Sequence, residues 1–416
     1  MIKTKPFTIN KNLVLQAYKL VKTNAGASGV DKQTIAEFDE NLKDNLYKIW
    51  NRLSSGSYYP PAVRAVSIPK KSGGNRILGI PTVSDRIAQM VVKLVFEPEV
   101  EPYFYQDSYG YRPNKSALDA IGITRTRCWK YNFVLEFDIK GLFDNIDHEL
   151  LMKAVKKHTN NKWVILYIER WLKAPMQLPD GTLVERTKGT PQGGVISPVL
   201  SNLFLHYVFD AWINRNHSGV LWCRYADDGL IHCQNEQQAL LILTELKQRF
   251  EECNLELHPE KSRIVYCKDD SRKDNYPNTS FEFLGYCFRR RVSRRGKDSK
   301  LFMNFTPGVS RTAIKSMRLQ TRESGIRNKS ELKLEDIAKK YNPVLRGWIE
   351  YYGCYNKWAL ASVFRHFNTT LIAWARKKFK TLKSSKRKAA NFMKNISKRQ
   401  PCLFVHWRIG MVDMFA

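Results

Sequence analysis

Acid is scarce in this chain. Its 416 residues hold 39 Asp and Glu against 69 Lys and Arg, a formal net charge of +30. That excess goes far beyond what solubility requires and points to a polyanionic partner, nucleic acid first. Long apolar runs are also lacking: no uninterrupted stretch would cross a bilayer, so an anionic membrane surface is the weaker alternative and no membrane is expected. Met1-Ile2-Lys3-Thr4-Lys5-Pro6 has no signal-peptide core, which leads to the expectation of a cytosolic protein. The eight cysteines include no Cys-x-x-Cys pair, so neither a zinc knuckle nor a disulfide framework is suggested, and they are expected to fill the core. The same lack counts against a zinc-supported nuclease module. Internal repeats are not evident. What remains is a chain 43% hydrophobic and 12% aromatic, long enough for two or three domains with a sizeable core.

Two adjacent acids organise the rest. Tyr225-Ala226-Asp227-Asp228 lies between the apolar runs Leu221-Trp222-Cys223 and Gly229-Leu230-Ile231, which reads as a β-hairpin with acids at its tip. Carboxylates that close repel, and a divalent cation beside them relieves the repulsion; Mg²⁺ suits hard oxygen ligands. An ordinary acidic turn is the alternative for an isolated Asp-Asp.

In chain order, residues 9–60 have a helical pattern broken by a glycine-containing loop at 24–31. Val66 to Pro81 contains two strand-like runs joined by a basic glycine turn, where Lys70 and Arg76 would reach a triphosphate or simply decorate a solvated tip. Thr82 to Val100 predicts a helix. Ser108-Tyr109-Gly110-Tyr111-Arg112-Pro113 suits either a loop that grips a nucleic-acid strand or a packed turn. Phe133, Leu135, Phe137 and Ile139 alternate on one strand face, which puts Asp138 on the other face at the strand's end. Asp144 and Asp147 fall near the start of the next helix and read as caps. Pro191-Gln192-Gly193-Gly194 would let backbone approach a substrate, with Gln192 as polar contact, or would merely lead into the apolar helix from Val199 to about Trp212, capped by Ser197. Glu236 to Cys253 predicts another amphipathic helix. The order is that of an α+β palm, which would bring Asp138 beside Asp227 and Asp228 and create a two-metal arrangement for nucleotidyl transfer. From Arg289 the composition turns basic, and 308–390 reads as helical, with Leu345, Trp348, Ile349 and Tyr352 as a core face.

Assembled in this order, the motifs resemble the reverse transcriptases encoded by bacterial group II introns, which also act as maturases. Ile68-Pro69-Lys70 with Arg76, the Ser108 to Pro113 loop, Phe137-Asp138, Pro191-Gln192-Gly193-Gly194, Tyr225-Ala226-Asp227-Asp228 and Phe283-Leu284-Gly285 carry the resemblance. Asn342 to Trp348 and Tyr351-Tyr352-Gly353 look like the family's thumb or maturase domain. The resemblance implies a right-hand polymerase fold, α+β in fingers and palm, followed by a basic α-helical thumb. The expected domains are 1–60, an N-terminal helical extension; 61–288, fingers and palm; 289–307, a basic linker or hairpin; 308–390, thumb/maturase; and 391–416, a C-terminal tail.

By the same resemblance, Asp138, Asp227 and Asp228 are the expected catalytic acids. They would hold two Mg²⁺ ions, or Mn²⁺ as substitute, with the Ile139 carbonyl as a further ligand. Lys70, Arg76, Phe143, Gln192 and Ala226 would bind the nucleotide, and Phe143 would exclude a ribose 2′-OH. Nucleic-acid contacts are expected at Arg112, Leu284, Gly285, Arg289, Arg290, Arg346, Arg376, Lys377 and Lys378. The expected function is RNA-directed DNA synthesis from dNTPs on an RNA template with a DNA or RNA primer, in the bacterial cytosol or nucleoid, with group II intron RNA as a further partner. Two other readings stand beside it: an RNA-binding splicing maturase with polymerisation secondary, and a reverse transcriptase recruited to host defence or repair. No metal-bound endonuclease domain is recognisable after the thumb.

Overall fold

The structure is a computed structural model that describes residues 5–69, 74–295 and 300–411. Three helices open the chain, α1 (Lys11–Asn24), α2 (Ile35–Glu40) and α3 (Leu42–Ser55). Asn10 caps α1 by accepting the Asn12 N–H, and Thr34 and Glu37 form a reciprocal capping box at α2, so local chemistry fixes both starts. β1 (Val63–Pro69) and β2 (Asn75–Ile80) pair antiparallel from Arg64 opposite Ile80 to Pro69 opposite Asn75, which is the expected cationic hairpin. Lys70 lies outside the described residues. Thr82 then caps α4 (Val83–Val100) through the Asp85 N–H.

Next come α5 (Ala117–Cys128), β3 (Phe133–Asp138), α6 (Leu142–Asn145), α7 (His148–His158), α8 (Lys162–Lys173), β4 (Met176–Gln177) and β5 (Leu183–Val184). The single helix expected from Val199 to Trp212 is α9 (Ser197–Leu205), a π-helical turn over His206–Asp210, and α10 (Ala211–Asn216). β6 (Leu221–Tyr225), β7 (Asp228–Cys233), α11 (Glu236–Glu252) and β8 (Arg263–Tyr266) complete a four-stranded sheet ordered β6-β7-β3-β8. Phe137 of β3 packs on Phe209 and Phe250, ring centroids 4.8 and 5.9 Å away, so the sheet's core contacts come from the π turn and α11.

The chain divides into two compact units, Met1–Ala120 with Leu135–Ile264, and Ile121–Val134 with Val265–Ala416. The expected end of fingers and palm at 288 falls inside the second unit. The reason is strand pairing: β9 (Ser280–Phe283), β10 (Tyr286–Arg295) and β11 (Lys300–Val309) form one sheet in the order β11-β10-β9, so the stretch 289–307 is the hairpin alternative rather than a linker. The second unit continues with α12 (Arg311–Glu323), α13 (Leu334–Tyr352), α14 (Ala361–Lys378), α15 (Lys386–Arg399) and α16 (Val405–Arg408). Its C-terminal stretch is part of the core, since Phe404, Trp407 and Met411 are buried with Phe364 and Phe367. Five cysteines are buried and Cys287 is half-buried, but Cys354 and Cys402 are exposed, contrary to the expectation for all eight.

One buried ion pair ties the first unit together. The Arg224 and Asp210 side chains are both wholly inaccessible. Arg224 grips Asp210 with two bonds, Nε to Oδ1 at 2.8 Å and Nη2 to Oδ2 at 2.7 Å, and also donates to Asn202 Oδ1, the Ala226 carbonyl and Ser108 Oγ. A buried charge stripped of its partner is strongly destabilising, so Asp210→Asn should lower unfolding stability by about 3–5 kcal/mol in urea titrations. A loss below about 1 kcal/mol would show that the pair is dispensable.

Candidate active site

Tyr225 pairs with Asp228, so the β6–β7 hairpin closes through Ala226 and Asp227 alone. Ala226 takes a left-handed φ of 56°, the geometry in which a two-residue turn matches strand twist. The Ser108–Gly110 segment lies directly against this turn. A Cβ at Gly110 would come within 2.3 Å of the Ala226 nitrogen, so only glycine permits the approach. Tyr109 N–H donates to the Arg224 carbonyl at 2.8 Å, Arg224 N–H to the Asp107 carbonyl at 2.9 Å, and Asn202 Nδ2 to the Gly110 carbonyl at 2.7 Å. The aromatic loop is thus a packed support for the acidic turn.

β3 runs beside β7, and the Phe137 ring lies where a side chain at 229 would stand, since a Cβ there would be 2.1 Å from the ring. The following residue, Asp138, consequently meets Asp228 in a hydrogen bond. Burial, then the charges of Asp227 and Asp138, push the Asp228 carboxyl up to about 8, and burial also raises Asp227. Three carboxyls from two segments therefore converge as expected. A cationic donor stands with them: Lys261 Nζ lies 2.9 Å from Asp138 Oδ2. The segment carrying it is fastened to the end of β3, with His258 N–H on the Asp138 carbonyl at 2.8 Å and Lys140 N–H on the Glu256 carbonyl at 2.9 Å. Sequence reading missed Lys261 because its role depends on that tertiary register; nothing in Leu255 to Ser262 marks it.

The acids offer hard oxygen donors and excess negative charge, the chemistry that suits a divalent cation. As the side chains stand, no group of three His, Cys, Asp or Glu among the described residues is arranged to hold a metal ion. Lys261 and the Asp138–Asp228 hydrogen bond engage the oxygens instead. Ile139 is buried at the same strand end and bridges to Leu257.

Around the acids, Tyr111 and Phe143 meet edge to face with centroids 6.5 Å apart. The Tyr111 phenol is raised by burial, then by the charge of Asp227, while Arg76 opposes the shift, so all three share one neighbourhood. Gln192 Nε2 reaches Asp144 Oδ2 at 3.4 Å, and the Gln192 carbonyl accepts the Gly79 N–H at 2.9 Å. Asp147 caps α7 as expected, through the Leu150 N–H. Asp144 does not cap; it lies inside α6 and takes Gln192 instead. Nor does Ser197 cap α9, because its hydroxyl pairs with Thr190 Oγ1 at 2.8 Å.

The expected nucleic-acid contacts divide. Arg112 is not available: its side chain is 5% exposed, paired with Glu101 and donating to the Tyr105 and Ser108 carbonyls. Leu284 and Gly285 form the tight turn between β9 and β10, braced by Tyr351 OH on the Leu284 carbonyl at 2.8 Å. Arg289 and Arg290 are exposed on β10, where Arg290 pairs loosely with Asp270, and Arg346 is exposed on α13. Arg376 donates to the Lys383 carbonyl and Lys377 to Asn328. Lys378 is turned inward, holding the Ser330 and Leu332 carbonyls at 2.9 Å each, so it serves loop anchoring rather than phosphate.

Because the folded Asp228 carboxyl binds its proton up to about pH 8 and the unfolded one only to about 3.8, the metal-free fold loses stability as pH rises between those values. Asp228→Asn should therefore melt a few degrees above wild type at pH 8 in chelator, with the gain shrinking towards pH 5. An equal difference at both pH values would show that the fold does not raise the Asp228 carboxyl.

Residues 68–288 match the family described as "Reverse transcriptase (RNA-dependent DNA polymerase)", and residues 314–392 match "Group II intron, maturase-specific domain". Protein YkfC of Escherichia coli is 31% identical over 319 residues, covering 68% of this chain and 81% of that protein. The group II intron-encoded protein LtrA of Lactococcus lactis is 34% identical over 203 residues, covering 48% of this chain and 33% of that protein. A telomerase structure from Candida albicans, solved with a fragment of telomeric RNA, superposes with a TM-score of 0.46 at 12% identity, covering 92% of this chain and 69% of that one. With the first match spanning over half of its length and the second following it, the chain belongs to the reverse transcriptase family, in the group II intron lineage that carries a maturase-specific domain.

Proposed function

We propose that this chain synthesises DNA on an RNA template by adding dNTPs to a primer 3′-OH. The convergence of Asp138, Asp227 and Asp228 at one end of the inner strands β3 and β7, two of them in contact, is the observation that carries the reading. Two Mg²⁺ ions, or Mn²⁺ in their place, would be held by these carboxylates with the Ile139 carbonyl and would supply Lewis-acid activation of the hydroxyl and charge neutralisation of pyrophosphate. The chain's own residues do the rest. Arg76, and Lys70 with it, grip the triphosphate. Tyr111 and Phe143 wall the sugar, Phe143 against a 2′-OH, while Gln192 and Ala226 line the base side. Lys261 keeps an N–H donor at the centre where negative charge develops.

Beyond the chemistry, an RNA-binding maturase role is favoured by the match over 314–392. A basic helix face supports it: Arg311, Lys315, Arg318 and Arg322 are all exposed and recur on one side of α12. The natural RNA partner would be the intron that encodes the chain, with a DNA or RNA primer, in the bacterial cytosol or nucleoid. No helix among the described residues is long and apolar enough to cross a membrane.

Primer extension on RNA and DNA templates tests the polymerase. Asp227→Asn should cut synthesis by about 10³ or more while template–primer affinity stays within about twofold. Wild type that folds but extends nothing would refute the reading. In a splicing assay with intron RNA, Asp227→Asn should retain activity, since binding does not need the acids. Template affinity should fall steeply with salt, and Lys315→Gln with Arg322→Gln should reduce the log–log slope by about 1 to 2. A slope that the pair leaves unchanged would remove α12 from the interface.

A further inference from the structure

Asp85 is a buried acid that the proposed chemistry does not use. It stands in the first turn of α4, 1% exposed, and its side-chain partners are neutral donors. Tyr58 OH reaches Oδ1 at 2.8 Å, Trp171 Nε1 reaches the same oxygen at 2.7 Å, and Gln89 Nε2 reaches Oδ2 at 2.9 Å. Arg86, next to it, is turned away to the Ala25 and Ala27 carbonyls. Burial pushes the Asp85 carboxyl up to about 6 against the pull of its three donors. An apolar side chain would fill this place at less cost, so the acid invites a purpose other than stability.

Its geometry supplies one. A carboxylate only accepts hydrogen bonds, so Gln89 must turn its NH₂ towards Asp85 and its carbonyl oxygen the opposite way. That oxygen meets the backbone N–H groups of Val195 at 2.7 Å and Ile196 at 3.3 Å. These two residues follow directly on Gln192-Gly193-Gly194 and lead into α9, whose start has no side-chain cap of its own. The other edges of the loop are held separately: Gln192 carbonyl by Gly79 N–H, and Thr190 N–H on the Phe143 carbonyl at 2.7 Å. The Asp85–Gln89 relay is what fixes its downstream end from α4.

We propose that Asp85 and Gln89 are positioning residues for nucleotide binding: Asp85 sets the orientation of the Gln89 amide, and that amide holds the Val195–Ile196 backbone so that Gln192 faces the incoming dNTP. The inference rests on the reading of Gln192 as part of the nucleotide pocket. In Asp85→Asn, with the new carbonyl oxygen kept on the Tyr58 and Trp171 donors, the NH₂ conflicts with Gln89 unless Gln89 turns over, and turning over would aim its NH₂ at two N–H donors. Either way the loop end is released, and the substrate that suffers is the nucleotide rather than the template.

Single-nucleotide incorporation by the full chain tests this, with Gln89→Met, Asp85→Asn, the double variant, Gln192→Ala, and Val91→Ala as a core-truncation control on the same helix. Gln89→Met keeps the side chain's length and tests the relay even where Asp85→Asn does not fold. The expected result is a rise of about tenfold in KM for dNTP in each relay variant, with kcat within about threefold and template–primer Kd within about twofold. The double variant should be no worse than the worse single, because the two residues act in series. Val91→Ala should lower Tm and leave KM alone. Unchanged KM in Gln89→Met, or additive losses, or the same KM rise in Val91→Ala, would overturn the relay. If Gln192→Ala raises KM while Gln89→Met does not, the relay alone fails; if Gln192→Ala leaves KM unchanged, the pocket reading fails with it.

Discussion

The Arg224–Asp210 pair is the constraint on which the acidic turn depends. A guanidinium has a rigid fork of donors, and here every arm is used: two on the carboxylate and the others on Asn202, Ser108 and the Ala226 carbonyl. Those partners come from the π turn, α9, the aromatic loop and the hairpin tip. Buried this completely, the pair contributes little net stability relative to an apolar filling, but it penalises any arrangement in which the four segments are out of register. The π turn belongs to this constraint, since Asp210 is its last residue.

Two buried acids of the first unit and one half-buried one illustrate three ways of managing charge with little water. Asp210 has a cation. Asp85 has three neutral donors and a raised carboxyl. Asp228 has other acids, with Lys261 nearby to offset them, and its carboxyl rises further than that of Asp85. The first two arrangements are complete as they stand. The last is unfinished in a chemical sense, which marks it as a candidate site rather than a piece of scaffolding.

Much of this was legible in sequence because it is local. Alternation in Phe133 to Ile139, the acidic hairpin tip between apolar runs, and the helical pattern up to Val100 all report on nearest neighbours along the chain, and each appears where expected. What was hidden depends on partners far away. Arg112 looks like an exposed loop arginine until Glu101 folds onto it, and Lys261 looks like a turn residue until β3 receives its segment. The stretch 289–307 leaves linker and hairpin undecided because arginines obscure the alternation of a long hairpin. Cys354 and Cys402 escaped for the opposite reason: nothing in a cysteine's flanks tells whether a later element will cover it.

Ala226 has a consequence of another kind. Its left-handed backbone costs an L-residue about 1–2 kcal/mol that glycine would avoid. Glycine, however, would free the one bend that carries the acids and would remove a buried methyl beside them. Directed evolution would therefore pull this position in two directions. A library sorted on heat resistance alone would drift towards glycine at 226, and a library sorted on DNA made would hold alanine, so that a single methyl group separates the most durable sequence from the most productive one.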